Sequence, residues 1–369
     1  MILKDIDVDV NSHSWVGSTP PTSLSSLTGT NKINIFLVMI HIAFRTSPPQ
    51  SYGFALGDMW AWFRYFPAIS LDSNLKLRPE WQNIDQHQKT ILSDDFGMGF
   101  SSYVLTNALD LVAVIPTNYL LDRISFFRLG PAEGKRGPKK SPDFIAFDKR
   151  LNFHIFECKG TQSSIRDLED QFKKGKVQKR NVLDPHRLID QSLVVGMFIP
   201  QDGKKEKALL KIEDPEIQLD LSNCNKDELL KIITIGELAT YFHLLGFPKL
   251  GNAIAVNTPL KNIERTRNEI FSLPNVMFGQ KRYIYHTLMQ RFDYYDYIVN
   301  NKVLYGLEVK FGIEENVINT VLKLEDYIQC TNELYNDFRD LPSWIIYETE
   351  NGVRVFTPLG CFMEINMIF

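Results

Sequence analysis

Two carboxylates and a lysine, Asp143, Glu157 and Lys159, stand out because each interrupts a run that is otherwise apolar. One run extends from Asp143 to Phe147 and the other from Phe153 to Gly160, with the polar stretch Lys149 to Asn152 between them. Two apolar runs around a short polar connection predict a β-hairpin. Residues two apart in a strand share a face. Asp143 then lies with Ile145 and Phe147, and Glu157 and Lys159 lie with Phe153 and Ile155. Charge on an apolar face is costly unless it is paired or holds a metal, and that cost points to chemistry. Carboxylates on adjacent strands are the oxygen ligands that Mg²⁺ prefers. A divalent ion there could make water nucleophilic and stabilise charge on a phosphorus centre. Lys159 would orient the attacking water or stabilise the developing negative charge.

Pro142-Asp143 followed by Glu157-Cys158-Lys159 resembles the core motif of the PD-(D/E)xK nuclease superfamily, over about residues 90–200. A proline precedes the aspartate, both runs are apolar apart from the motif, and Gly160-Thr161 leads into a long polar helical pattern. The resemblance implies an α/β fold with a restriction-endonuclease-like αβββαβ core. It also implies a metal site in which the backbone carbonyl of Cys158 joins Asp143 and Glu157, with Mg²⁺ as cofactor and Mn²⁺ able to substitute. Many members add an acid from the first core helix, for which Asp95 is the best match with Asp94 behind it. A glutamine or lysine of the following helix often lies beside the site; Gln171, Lys174 and Gln178 share one face there, and Gln178 joins the expected catalytic set. The implied activity is phosphodiester hydrolysis by a DNA endonuclease, with defence against foreign DNA as an analogy. The alternatives are an RNA-directed nuclease, or a non-catalytic nucleic-acid- or partner-binding protein on the same fold.

Several elements must position these residues. Ser93-Asp94-Asp95 reads as a helix start, with a capping serine and acids in the first turn. Phe96, Phe100, Tyr103 and Val104 then form a helical apolar stripe. Leu111 to Ile115 reads as a strand, Ser163 to Leu183 as a helix with Ile165, Leu168 and Phe172 inward, and Ser192 to Ile199 as a strand. A central sheet with helices against it buries these faces. Ile33 to Phe44 is too short to span a bilayer and reads as a buried strand. The stretch Trp60, Trp62, Phe63, Tyr65 and Phe66 reads as core.

The chain has 369 residues and a net charge of −3, which by itself does not suggest a nucleic-acid partner. Residues 131–190, however, hold 14 Lys and Arg against 9 Asp and Glu. The basic groups Lys135, Arg136, Lys139 and Lys140, and then Lys174 and Lys179, flank the motif, and phosphate backbones attract such local fields. Cys158, Cys224, Cys330 and Cys361 have no zinc-ligand spacing and read as reduced thiols of a cytoplasmic protein. No secretory signal is visible. No HExxH spacing is present, and no GxxxxGK[ST] motif, which argues against an ATP motor. His154 reads as a core histidine.

Three regions are expected: an N-terminal β-containing segment (1–80), the nuclease-like domain (81–203), and a mixed α/β domain for recognition or assembly (204–369). The polar linker Gln201 to Glu206 marks the second boundary. Helices are expected at 226–245, 260–271 and 314–337, and strands at 296–299, 303–310, 343–347, 353–356 and 361–368. Asp293, Asp296, Glu308 and Lys310 form a second, more polar acid–acid–lysine pattern that competes for the chemistry. Double-strand cutting would be served by a homodimer, and the last domain could bind a partner protein.

Overall fold

The computed structural model describes residues 2–15, 17–50, 65–123, 141–179, 188–214, 225–292, 298–299, 302–324, 326–335, 337–349 and 351–369, with the side chains of 175–179 and 299 outside that description. The chain is mixed α/β, with two large sheets, and forms two compact units. The first comprises Met1–Arg45 and Arg64–Leu230; the second comprises Thr46–Phe63 and Lys231–Phe369.

The first unit is built on seven strands: β1 (Leu3–Val10), β2 (Gly29–Asn34), β3 (Leu111–Pro116), β4 (Phe144–Asp148), β5 (Phe153–Thr161), β6 (Ile189–Phe198) and β7 (Leu209–Glu213). Their spatial order is β2-β1-β7-β6-β5-β4-β3. The β3-β4-β5 meander is antiparallel, and β6 returns parallel to β5. The expected boundary at 201–206 is crossed by this sheet. Strand β7 lies beyond the linker yet pairs with both β6 and β1. The N-terminal strands belong to the same sheet, not to a separate segment. These pairings join distant stretches of chain, which a local reading cannot supply.

Three helices matter to the site: α1 (Ile35–Thr46), α2 (Gln86–Leu109) and α3 (Ile165–Lys179). Helix α2 starts earlier than expected. Asp85 caps it by accepting from the N–H groups of His87 and Gln88 at 2.9 and 3.1 Å. Asp110, left-handed at φ 53°, closes it. Ser93, Asp94 and Asp95 therefore lie inside the helix, not at its cap. The expected strand over Ile33 to Phe44 is, from Ile35 onward, helix α1. Every residue from Ile35 to Arg45 is buried, and an element covered on all sides is apolar on all sides, so its sequence shows no period by which to tell helix from strand. Helix α1 presses on α2 at Gly99, where an added Cβ would lie 2.4 Å from Ile42.

Helices cover both faces of the sheet. Helix α2 packs on β5 through two glycines. A Cβ at Gly160 would stand 1.7 Å from the Ser93 carbonyl oxygen, and one at Gly97 would stand 2.6 Å from that of Lys159. Helix α3 packs on the opposite face, where Leu168 and Phe172 join Val194 and Phe198 in a core cluster. Tyr65 and Phe66 are buried as expected, whereas Trp60, Trp62 and Phe63 lie outside the described residues.

The second unit contains α4 (Lys226–Leu244, from Lys231), α5 (Pro248–Val256), α6 (Ile263–Phe271), α7 (Glu315–Lys323) and α8 (Tyr327–Leu334). Its strands are β8 (Asn275–Phe278), β9 (Lys281–Arg291), β10 (Ile298–Val299), β11 (Lys302–Val303), β12 (Gly306–Glu314), β13 (Ile345–Thr349), β14 (Gly352–Phe356) and β15 (Cys361–Ile368). Six of them form an antiparallel sheet in the order β13-β14-β15-β12-β9-β8. Leu307, Val309, Phe311 and Ile313 are wholly buried on its inner face, while the alternate positions Glu308 and Lys310 are only half-buried. The expected helix over 314–337 is two helices, and α5, β8 and β9 had no counterpart in the expectation. Among the described residues, no helix is long and apolar enough to cross a membrane.

Candidate active site

The hairpin forms as its sequence predicts, with β4 and β5 paired so that Ile145 faces Ile155 and Phe147 faces Phe153. Continuing that register by two residues brings Asp143, just before β4, level with Glu157. The turn between the strands is organised by Asp148, whose carboxylate accepts from the N–H groups of Arg150 and Asn152 at 2.8 and 2.9 Å. The buried His154 ring lies 3.2 Å from the same carboxylate. Burial works to raise the Asp148 pKa, but the bonds from His154 and Asn152 outweigh it and hold the group below the usual range. His154 is thus a core residue at the far end of the hairpin, bonded through one ring nitrogen.

At the near end, each carboxylate is bonded to the other's strand. The Asp143 N–H donates to Glu157 Oε2 at 3.1 Å, and the Cys158 N–H donates to Asp143 Oδ2 at 2.7 Å. Lys159 Nζ donates to Glu157 Oε1. Glu157 has 1% of its side chain exposed and Lys159 has 19%, so the ion pair opens to solvent only on the lysine side. In the parallel register Lys159 is level with Gly196 of β6. A Cβ at Gly196 would meet Phe172 at 2.4 Å, which places Glu157 and Lys159 on the α3 side of the sheet. Cys158 faces α2, and burial pushes its thiol far up. It is a core filler, and only its backbone carbonyl is available to a ligand.

Electrostatics distinguish this site from an ordinary ion pair. Burial raises the Glu157 carboxyl to about 7, with the Asp143 charge adding to the effect. Asp143 is also raised, first by burial. Burial works against the Lys159 ammonium, but Glu157 and Asp143 outweigh it and the lysine stays protonated beyond its usual range. Among the described residues, two close carboxyl groups therefore face one ammonium.

The structure separates the two helix acids. Asp94 feels the Lys159 charge and adds to the negative field at Asp143, and burial raises its own pKa. Asp95 accepts a hydrogen bond from the buried Tyr65 hydroxyl. Asp94 is thus an electrostatic neighbour of the motif, and the expected Asp95 bonds to Tyr65. Adjacent helix residues point about 100° apart, so the choice depends on how α2 lies on the sheet. Gln162, which drew no attention in the sequence, fixes that placement. Its side-chain amide donates to the Lys89 carbonyl at 2.7 Å and to Ser93 Oγ at 3.0 Å, while its oxygen accepts from Trp81 Nε1 at 3.0 Å.

Other expected residues are less closely placed. Gln171 is half-buried, with its side-chain oxygen unpartnered, and Lys174 is exposed. The side chains of Gln178 and Lys179 lie outside the described residues, as do Lys135, Arg136, Lys139 and Lys140. Among the described residues, no group of three or more His, Cys, Asp or Glu side chains forms a metal cage.

The competing pattern is resolved on the outer face of the second sheet. Asp293 and Asp296 lie outside the described residues. Lys310 lies 3.0 Å from Glu308 and 3.6 Å from Glu364, and Arg354 pairs with Glu364. Two carboxylates meet two cations, a balanced ladder on a half-exposed strand face.

No family model, no curated protein and no solved structure matches this chain.

Proposed function

We propose that the chain is a metal-dependent nuclease hydrolysing phosphodiester bonds, with DNA as substrate and Asp143, Glu157 and Lys159 as its catalytic set. One observation carries the reading: two buried carboxyl groups, each bonded to the other's strand, share a site with the Lys159 ammonium. Among the described residues the two carboxyl groups meet one ammonium, a balance that suits a divalent cation, and the donors are the hard oxygens that Mg²⁺ or Mn²⁺ takes. The element order supports it too. Helix α2, the β3-β4-β5 meander, helix α3 and parallel strand β6 follow the αβββαβ order of the superfamily that the motif resembles.

Asp143 and Glu157 would hold the ion, with the Cys158 carbonyl beside them. When bound, the ion supplies Lewis acidity at the phosphate and acidifies water. The chain's own residues do the rest. The Asp143 N–H and Lys159 fix both oxygens of Glu157, so the carboxylate is oriented in advance. Lys159 stays charged at neutral pH and sits where negative charge would develop on the phosphate. Asp94, on the adjoining helix, adds a third carboxylate to the field. A role in defence against foreign DNA rests on analogy of fold alone.

The test is incubation of the protein with plasmid, linear duplex, single-stranded DNA and RNA in Mg²⁺, Mn²⁺ or EDTA. Metal-dependent cleavage of DNA is expected. Asp143→Ala, Glu157→Ala and Lys159→Ala should each reduce it about a hundred- to a thousandfold or more. Full activity in any one of the three refutes the assignment.

A further inference from the structure

We propose that an aromatic pocket on the outer face of the second sheet binds an unpaired nucleobase of single-stranded nucleic acid. The pocket has a volume of about 480 Å³, within the range of small-ligand sites. Phe278, Tyr283 and Phe356 form one side, with ring centroids 5.1 to 5.7 Å apart. On β13, Ile345 and Tyr347 are 42% and 53% exposed. They share a strand face and continue the aromatic surface outward, a contiguous apolar patch of the kind that marks a binding site.

The geometry favours a flat ring over an aliphatic chain. Tyr347 stands at 89° to Phe356, with centroids 5.9 Å apart. Two perpendicular rings make a corner in which a third ring can stack on one and meet the other edge to face. Single-stranded nucleic acid is bound by such platforms, because every base has a π-face. Cations stand beside the rings: Arg354 Cζ lies 4.4 Å from the Phe278 centroid, and Lys281 lines the pocket with 58% of its side chain exposed. Each is paired with a carboxylate, Arg354 with Glu364 and Lys281 with Glu314. Selectivity for an unpaired base therefore comes from stacking more than from net charge, and binding should depend only weakly on base identity.

The choice of nucleic acid as ligand rests on the nuclease reading, but the binding does not need cleavage. The test uses the full-length chain carrying Lys159→Ala, in EDTA, with fluorescein-labelled single-stranded DNA containing 5-iodouracil. Anisotropy should show binding to the single strand. Tyr347→Ala should weaken it about five- to a hundredfold, and Tyr347→Phe should restore it to within about twofold. Irradiation should cross-link the oligonucleotide to Tyr347, Phe356 or a neighbouring pocket residue. Absence of single-strand binding, equal affinity in a folded Tyr347→Ala variant, or cross-links confined to other regions would overturn the proposal. Metal-dependent cleavage by the parent chain is scored separately, so this site and the Asp143 site can fail independently.

Discussion

Asp143 and Glu157 hold one another in place through each other's strand: the Asp143 N–H donates to Glu157, and Asp143 accepts from the N–H that follows Glu157. Neither carboxylate can turn without breaking a backbone bond, and among the described residues Lys159 is the cation that balances them. The first consequence can be measured without knowing the substrate.

The first concerns pH. The Glu157 carboxyl is raised to about 7 from an ordinary 4.5. A raised acid contributes stability that is complete below its unfolded pKa and is lost as pH rises through the folded one. Asp143, shifted in the same direction, acts with the same sign. In EDTA this contribution should make the melting temperature fall from pH 5 to pH 8. Glu157→Gln should flatten the slope. Mg²⁺ should stabilise the parent protein more at pH 8 than at pH 6, since below about pH 7 the ion must displace a proton. An unchanged slope in Glu157→Gln would show that the carboxyl ionises normally.

The second separates the helix acids. Asp94→Asn should weaken metal-supported activity about tenfold while leaving the melting temperature near the parental value, because Asp94 reaches the site only through its charge. Asp95→Asn should instead cost about 1–3 kcal/mol in urea unfolding, because it disturbs a hydrogen bond from a buried tyrosine. Tyr65→Phe should reproduce most of that loss. Interchanged phenotypes would mean that α2 presents Asp95 to the site.

Third, the approach of α2 to β5 leaves no room for a methyl group. Gly160→Ala would place Cβ 1.7 Å from a backbone oxygen, which cannot move aside as a side chain can. The expected loss is at least about 3 kcal/mol by chemical denaturation, at the upper end of overpacking costs. Gly203→Ala is the control for crowding: nothing lies within 4 Å of that position, so only its left-handed backbone (φ 83°) is taxed. It should cost less.

Fourth, the Glu308 and Lys310 ladder is read as structural. Glu308→Ala should leave cleavage within about twofold of the parent and change stability by less than about 1 kcal/mol, as for other half-exposed ion pairs. Loss of cleavage comparable to that of Glu157→Ala would move the active site to the second unit.

Local pattern made part of this molecule legible. The hairpin, its register and the placing of Asp143, Glu157 and Lys159 follow from two apolar runs and a polar turn, since strand periodicity acts over a few residues. The core positions Leu168 and Phe172 of α3 could be read the same way. The all-apolar helix α1 could not, because an element buried on every side carries no period. Strand β9 was missed because its alternation is blurred: its exposed ends are polar and its middle is half-buried.

The sequence by itself determined which residues could do chemistry and that two adjacent strands would carry them. Only the tertiary structure decided that strands from positions 3–10, 29–34 and 209–213 complete the same sheet, that Asp94 shares the electrostatic field of the motif while Asp95 bonds to Tyr65, and that Glu308 joins a ladder of two carboxylates and two cations. The physical reason is common to all three. Strand pairing, the rotation of a helix on a sheet and the count of charges around a carboxylate depend on residues far apart in the chain, whose proximity exists only after folding.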